Sequence, residues 1–560
     1  MNHAKTNKDQ ALRLLGSLYE SGVAQDTLDR IWLRLPKESI PSAAPRNHCL
    51  IISYADTISE EGEAPLATLR RFLHVNVGQA FGRLHLLPFY PSSSDDGFAV
   101  IDYRMVDHHV GGWQDIEGLA QDYDLMFDLV INHCSRESLW FADFINGREP
   151  GRHYFITLQE ESDVSQVARP RSSPLISAVH TYGGIRHVWN TFSEDQIDLD
   201  FSNPQVLLEF IDILMLYIER GAKLIRLDAI AFLWKRLGTN CMSLPETHVV
   251  VKLLRLLIDE VCPHVRLITE TNVPHDENVS YFGDGDEAHV VYQFSLAPLL
   301  LYSFVFGDST YLTNWALRLT EPPDGTEFLN FIASHDGIGL RPLEGLMPPD
   351  GITRLVDEMH ARGGFVMLRD AGDNEQRPYE INISLMSAFG GMQGIDAYLA
   401  AHAVLLSFRG MPALYIHSLL GTLNDIDLVE QTGRTRSINR SRWRYHELQD
   451  ALKDPHSLHS RVFHALLRMI DRRNVQPALQ PHAAQEVIPT LSGVFAMRRI
   501  ARKQVLLIVS SLVDQPQDVA LKEFGLKSGR YVDQLSQKTI TLADELHLGP
   551  YQVLWLELPL

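Results

Sequence analysis

The sequence predicts an α/β fold: a (β/α)8 barrel of TIM type with two inserted lid subdomains and a C-terminal antiparallel β domain. Three observations lead there. Apolar, β-branched-rich runs of strand length alternate with helical stretches at residues 49–54, 84–87, 125–131, 224–227, 267–269, 290–294, 328–333 and 413–416. Three of these segments finish on ionisable residues, K-L-I-R-L-D on Asp228, L-I-T-E on Glu270 and I-A-S-H-D on Asp336, and buried parallel strands deliver such side chains to one rim of a barrel. After about Val475 helical periodicity gives way to short strand-like runs joined by turns.

Residues 1–475 are assigned to the barrel, with amphipathic helical stretches such as 11–19 inside the first 45 residues. Two intervals exceed an ordinary strand-helix unit. Residues 134–203 form an insert after the third strand, containing the polar run V-A-R-P-R-S-S-P at 167–174, and residues 337–395 form a Gly-, Pro- and Asp-rich insert after the seventh. Long excursions at the carboxyl ends of barrel strands build substrate sites. The apolar stretch 290–306 carries Gln293, Ser295 and Pro298, so it reads as a buried strand leading into a helix rather than a membrane span. Residues 476–560 contain strand-like runs at 493–500, 504–512 and 551–558 and form the terminal β domain, with a structural role.

At 560 residues the chain is too long for one core. Its 50 basic and 70 acidic residues give a formal charge of −20, which disfavours nucleic acid and anionic membranes as partners. Cys49, Cys134, Cys241 and Cys262 are too scattered for C-x-x-C pairs, and the N-terminal residues lack the plan of a signal peptide. A cytoplasmic location is expected.

Three carboxylates at one rim imply glycoside chemistry. Arg226 precedes Asp228 by two residues, so both side chains leave the same face of a strand. A guanidinium there is expected to hold Asp228 ionised, as a nucleophile requires.

The segment D-L-V-I-N-H at 128–133, R-L-D-A at 226–229, Glu270 at a strand end, and His335-Asp336 resemble the four ordered signatures of the α-amylase superfamily, glycoside hydrolase family 13. H-L-L-P-F-Y-P-S-S-S-D-D-G-F-A-V-I-D-Y at 85–103 and R-P-Y-E-I-N at 377–382 resemble its sucrose phosphorylase branch. The runs F-G-D-G-D-E-A-H-V-V-Y-Q-F-S-L and S-H-D-G-I-G-L are most similar to glucosylglycerate phosphorylases, with glucosylglycerol phosphorylases as near relatives.

The resemblance implies a retaining double displacement that yields α-glucose 1-phosphate and a freed acceptor. Asp228 would be the nucleophile, Glu270 the acid/base and Asp336 the stabiliser of the transition state. Asp95 and Arg436 would close on the far side of the glucose, His133 and His335 would bond its hydroxyls, and Phe192 and Gln196 would line its pocket. Arg171 matches the position of a phosphate-binding arginine, while Tyr379 and Glu380 are acceptor-site candidates. Glu380, Ala168 and Asn272 depart from the Gln, aromatic and His of sucrose-specific members. They fit better the relatives acting on glucosylglycerate, glucosylglycerol or sucrose 6′-phosphate. A glycerate acceptor would need a cation, for which Arg377, Arg171 and Arg169 are candidates. Phosphorolysis of sucrose or sucrose 6′-phosphate and, further, α-glucoside hydrolysis are the alternative activities. Asn132 matches a position that holds calcium in many amylases, but the branch works without metal. No cofactor is expected, phosphate is a substrate, and the protein is a monomer or homodimer with small-molecule ligands.

Overall fold

The computed structural model describes residues 2–36, 46–171, 173–370 and 376–559. Ser172, in the Arg- and Pro-bearing run, residues 371–375, in the second excursion, and residues 37–45, at the end of the N-terminal stretch, lie outside the described residues. Eight strands close a barrel: β1 (Leu50–Ser53), β2 (Arg83–Leu86), β3 (Asp124–Val130), β4 (Ala222–Asp228), β5 (Arg266–Thr269), β6 (Val290–Tyr292), β7 (Glu327–Asn330) and β8 (Met411–Tyr415). Every strand pairs in parallel with its neighbours in chain order, and β8 closes on β1. All eight runs expected from the sequence are these strands. Their continuous apolar character follows from burial on both faces, between the barrel interior and the surrounding helices.

The helices Pro204–Glu219 and Pro245–Val261 each start with proline at the first turn, where a missing N–H costs nothing. The N-terminal helices Asn2–Leu18 and Ser21–Arg34 pack against this pair, and Arg34 reaches Asp212 at 3.0 Å. The helix Asn2–Leu18 begins well before the 11–19 stretch seen in the sequence.

The excursion after β3 carries a three-stranded sheet, Thr157–Leu158, Gly184–Trp189 and Ile176–Thr181, and the antiparallel pair His133–Ser135 and Gln196–Asp198. The excursion after β7 holds Ile338–Gly339, Gln376–Asn382 and Phe365–Asp370 as one sheet, with the helix Pro349–Ala361 beside it. Both stand at the carboxyl end of the barrel.

Beyond the helix Leu458–Asn474, six antiparallel strands are ordered Ala484–Ile488, Val494–Ala501, Gln504–Ser511, Val553–Leu558, Gly529–Asp533 and Lys538–Leu542. A second pair, Gln517–Ala520 with Glu545–Leu548, packs on them. Five of these eight strands were not anticipated. The stretch 290–306 is a strand followed by the helix Leu296–Phe306, and no helix among the described residues is long and apolar enough to cross a membrane.

Candidate active site

Parallel register sets Arg226 of β4 opposite Asp128 of β3 and Ile268 of β5. Arg226 Nη1 donates to Asp128 Oδ1 and, at 2.9 Å, to Asp228 Oδ1, while Nη2 lies 3.7 Å from Glu270 Oε2. His85 Nε2, on β2, donates to the other oxygen of Asp128 at 2.7 Å. Burial opposes the charge on Asp128, but Arg226 and His85 outweigh it and hold the carboxyl down to about 2. This network sits below the rim and fixes the guanidinium that Asp228 and Glu270 share.

The chain leaves Asp228 through Ala229, whose φ of 52° is left-handed. For a residue with a Cβ that conformation costs roughly 1–2 kcal/mol. It turns the Ala229 N–H toward Glu270, which accepts it on Oε2 at 3.2 Å. Burial raises Glu270, and the negative charge of Asp336 adds to this, against the pull of Arg226.

Asp228 departs from the sequence expectation. Its carboxyl is pushed well up by burial, with Glu270, Asp128 and Asp336 adding to the rise and Arg226 opposing it. The guanidinium divides its charge among Asp128, Asp228 and Glu270, so it does not keep Asp228 low by itself. Asp228 and Glu270 titrate as a pair. Within that pair the closer contact, 2.9 Å against 3.7 Å, favours the charge on Asp228 and the proton on Glu270.

Asp336, just past β7, is a different case. Burial opposes its charge, yet Arg436, His335 and Arg440 hold it far below the usual carboxylate range. Arg436 Nη1 stands 2.6 Å from Asp336 Oδ1 and forks onto Glu380, Nε to Oε1 at 2.9 Å and Nη2 to Oε2 at 2.5 Å. Arg440 donates to Asp96 and to the His335 carbonyl. Gly337 lets this hairpin close on the barrel, because a Cβ there would lie 2.5 Å from Glu380 Cγ.

Burial lowers His335 to about 3 and lowers His133 as well, so both imidazoles are neutral at physiological pH. His335 stacks on Phe98 with ring centroids 5.1 Å apart. His133 Nε2 donates to the Phe98 carbonyl at 3.0 Å, and Gln196 Nε2 donates to Asp95 Oδ2 at 3.1 Å. Burial opposes the charge on Asp95, but Arg171, Arg436 and Arg440 lower it.

These groups line one pocket at the carboxyl end of the barrel. Asp95, His133, Arg171, Phe192, Gln196, Arg226, Asp228, Glu270, His335, Asp336, Tyr379, Glu380 and Arg436 all lie in its wall, whereas Arg169 and Arg377, the other cations offered for a glycerate carboxylate, are not among its lining residues. Arg171 and Asp95 also line an outer cavity with Arg434, Met367 and Leu368. The sequence reading missed the aromatic wall formed by Phe98, Phe232 and Phe294. Phe98 was within sight as the last residue of D-D-G-F, as was Arg440 at the end of R-S-I-N-R.

Lys235 was missed too. Its buried ammonium donates to Asp198 Oδ2 at 2.7 Å, to Asn132 Oδ1 at 2.8 Å and to the Phe232 carbonyl. It thereby ties the first insert, through Asp198, to the barrel and to the loop after Asp228. Asp198 completes its bonding with the N–H and hydroxyl of Thr191 at 2.9 and 2.5 Å.

An eight-stranded parallel barrel that gathers paired carboxyls, a third ionised carboxylate and neutral imidazoles in one polar pocket defines a carbohydrate-active enzyme. Residues 80–317 match the family model described as Alpha amylase, catalytic domain. A glucosylglycerate phosphorylase of Spirochaeta thermophila is 42% identical, with 98% of each chain covered. One from Allomeiothermus silvanus is 40% identical, again over 98% of each chain. The crystal structure of sucrose 6F-phosphate phosphorylase from Thermoanaerobacter thermosaccharolyticum superposes with a TM-score of 0.76 at 25% identity, covering 90% of this chain and all of that one. The chain belongs to the glucoside phosphorylases of the α-amylase superfamily.

Proposed function

We propose that the enzyme is a retaining glucosylglycerate phosphorylase, which reversibly converts glucosylglycerate and phosphate into α-glucose 1-phosphate and D-glycerate. Asp228 attacks the anomeric carbon while Glu270 gives its proton to the departing glycerate oxygen. Phosphate then enters, Glu270 takes its proton, and the glucosyl ester is displaced with net retention. The observation that carries this reading is the single guanidinium of Arg226 holding both carboxyls. Retaining chemistry asks for a separation of about 5–5.5 Å between them. Asp336 remains anionic throughout and opposes the positive charge that develops on the sugar ring, while neutral His133 and His335 are placed to bond its hydroxyls.

The identity of the acceptor rests on the two relatives at 40–42% identity. It is tested by measuring phosphate release from α-glucose 1-phosphate with D-glycerate, glycerol, fructose or fructose 6-phosphate. Release with D-glycerate above the others is expected. Release with glycerol or a fructose acceptor instead, or free glucose without any acceptor, overturns it.

Two substitutions separate the half-reactions. Glu270→Gln is expected to lose turnover of glucosylglycerate but to keep glucosylation from α-glucosyl fluoride, whose leaving group needs no protonation. Equal loss with both donors removes the acid role. Arg171→Ala is expected to raise KM for phosphate by about tenfold or more, the scale of a charge-assisted hydrogen bond, with a smaller change in KM for the donor. An unchanged phosphate KM places the anion elsewhere.

We read the enzyme as free of metal and cofactor. The oxygen cluster of Asn132, Asp198 and the Phe232 carbonyl is already neutralised by Lys235. Dialysis against a chelator should leave rate and melting temperature unchanged. The four cysteines are unpaired and buried, which supports a cytoplasmic location. Its ligands are small molecules, and we read it as a monomer or homodimer.

A further inference from the structure

Arg171 and Arg341 make no ion pair within 4 Å of a carboxylate among the described residues, although Arg171 is near enough to Asp95 to lower its pKa. Arg226, Arg436 and Arg440 are all ion-paired. The buried arginines remote from the site are met by main-chain carbonyls instead. Arg499 donates to those of Ser407, Gln480, Ala483 and Ala484, and Arg473 to those of Leu406 and Gly410. Arg171, by contrast, makes a single hydrogen bond, 3.7 Å to the sulfur of Met367. Arg341 makes a single one as well, Nη1 to the sulfur of Met242 at 3.6 Å, and its Nε is buried without a partner. Thioether sulfur is a weak acceptor, and a half-buried guanidinium held only by sulfur is short of an anion.

The placement of Arg341 indicates which anion. The strand Ile338–Gly339 pairs with Ile381 and Glu380, and the Leu340 N–H donates to the Tyr379 carbonyl at 2.9 Å. Arg341 is the next residue and opens a short 3-10 turn. Its side chain reaches Met242, which packs with Ala231, Val273 and Phe232. Ala231 and Phe232 line the pocket, and Val273 directly follows Asn272. The guanidinium therefore lies just behind the wall between Glu270 and Tyr379, beside the carboxyl assigned above to protonate the leaving group.

Asn272, two residues beyond Glu270, lines the same wall and has a buried Oδ1 without a partner. Its amide occupies the space that glycine leaves at 339, where a Cβ would lie 2.7 Å from Oδ1. An amide and a guanidinium on one edge match a small hydroxy acid, with hydroxyl to the first and carboxylate to the second.

We propose that Arg341 determines acceptor specificity by binding the carboxylate of a small hydroxy acid, with Asn272 bonding its hydroxyl, while Arg171 serves the phosphate. The inference rests on the acceptor assigned above and adds the division of labour: the two anions that enter the pocket at different stages are met by guanidiniums from different inserts.

The test compares wild type with Arg341→Met and Arg341→Lys, using α-glucose 1-phosphate as donor and D-glycerate or glycerol as acceptor. Arsenolysis of α-glucose 1-phosphate, which needs no organic acceptor, reports that the pocket is assembled. Arg341→Met is expected to lower kcat/KM for D-glycerate by about 10- to 100-fold relative to glycerol, the loss of a charge-assisted hydrogen bond. Arg341→Lys should recover part of that preference, and KM for phosphate should not follow it. A wild-type enzyme that ignores D-glycerate overturns the acceptor assignment and this inference with it. A wild type that uses D-glycerate while Arg341→Met keeps the same glycerate-to-glycerol ratio overturns the inference alone. If Arg341→Met loses arsenolysis, Arg341→Gln, which keeps a polar end, provides the same ratio.

Discussion

Asp228→Asn is expected to lower turnover by about four orders of magnitude or more, the scale at which removing a reacting group stops covalent catalysis, and to leave the barrel folded. An amide cannot form the glucosyl ester, so no donor, including glucosyl fluoride, should rescue it. The same substitution carries a second, independent sign. The folded-state carboxyl of Asp228 is raised by burial and by its neighbouring carboxylates, so the folded protein binds this proton more tightly than the unfolded chain does. That contribution to stability is present at low pH and is lost as the pH climbs through the raised value. Asparagine removes the ionisable group, and the variant should melt at the same temperature as wild type or higher at neutral pH. The difference should vanish as the pH falls below the ordinary aspartate range. Retained turnover would end the nucleophile assignment. A variant that melts lower at neutral pH and matches wild type in acid would reverse the electrostatic argument.

Lys235→Met is expected to cost about 3–5 kcal/mol of stability, because it removes one partner of a buried ion pair and strands the other. Asp198 is wholly buried, and its remaining partners, Thr191 and Asn132, do not neutralise it. The Gln196–Asp198 strand also carries Gln196 into the pocket, so kcat/KM should fall with the melting temperature. The double variant Lys235→Met, Asp198→Asn should recover much of the loss, since the uncompensated charge is then gone. Melting curves and limited proteolysis of the first insert measure both effects. A single variant as stable as wild type would show that the ammonium is not what holds the insert.

The barrel was legible because each of its strands is buried on both faces and reads as a largely apolar run with few ionisable residues. The terminal sheet was only partly so. Strands such as Lys538–Leu542, K-T-I-T-L, are five residues long and bury only one of them, a weak signal between turns. The pocket was legible where chemistry sits in a fixed motif, as at Asp228, Glu270 and His335-Asp336. It was not legible where a lone cation finds partners far along the chain: Lys235 bonds Asn132 across 103 residues, and Arg341 stands beside Met242 across 99. The upward shift of the Asp228 carboxyl was not legible for the same reason. Its sequence neighbour is an arginine, whereas its spatial neighbours include Glu270 and Asp336.

Lys235 also bears on the solution in which the enzyme works. Inorganic phosphate is a substrate, and phosphate complexes and precipitates calcium. A fold pinned by that ion would compete for it against its own reactant, with the pin weakening as flux toward glucose 1-phosphate rises. On the metal-free reading proposed above, an ammonium attached to the backbone has no dissociation constant to be exceeded, and the architecture of the pocket is uncoupled from the concentration of what it consumes.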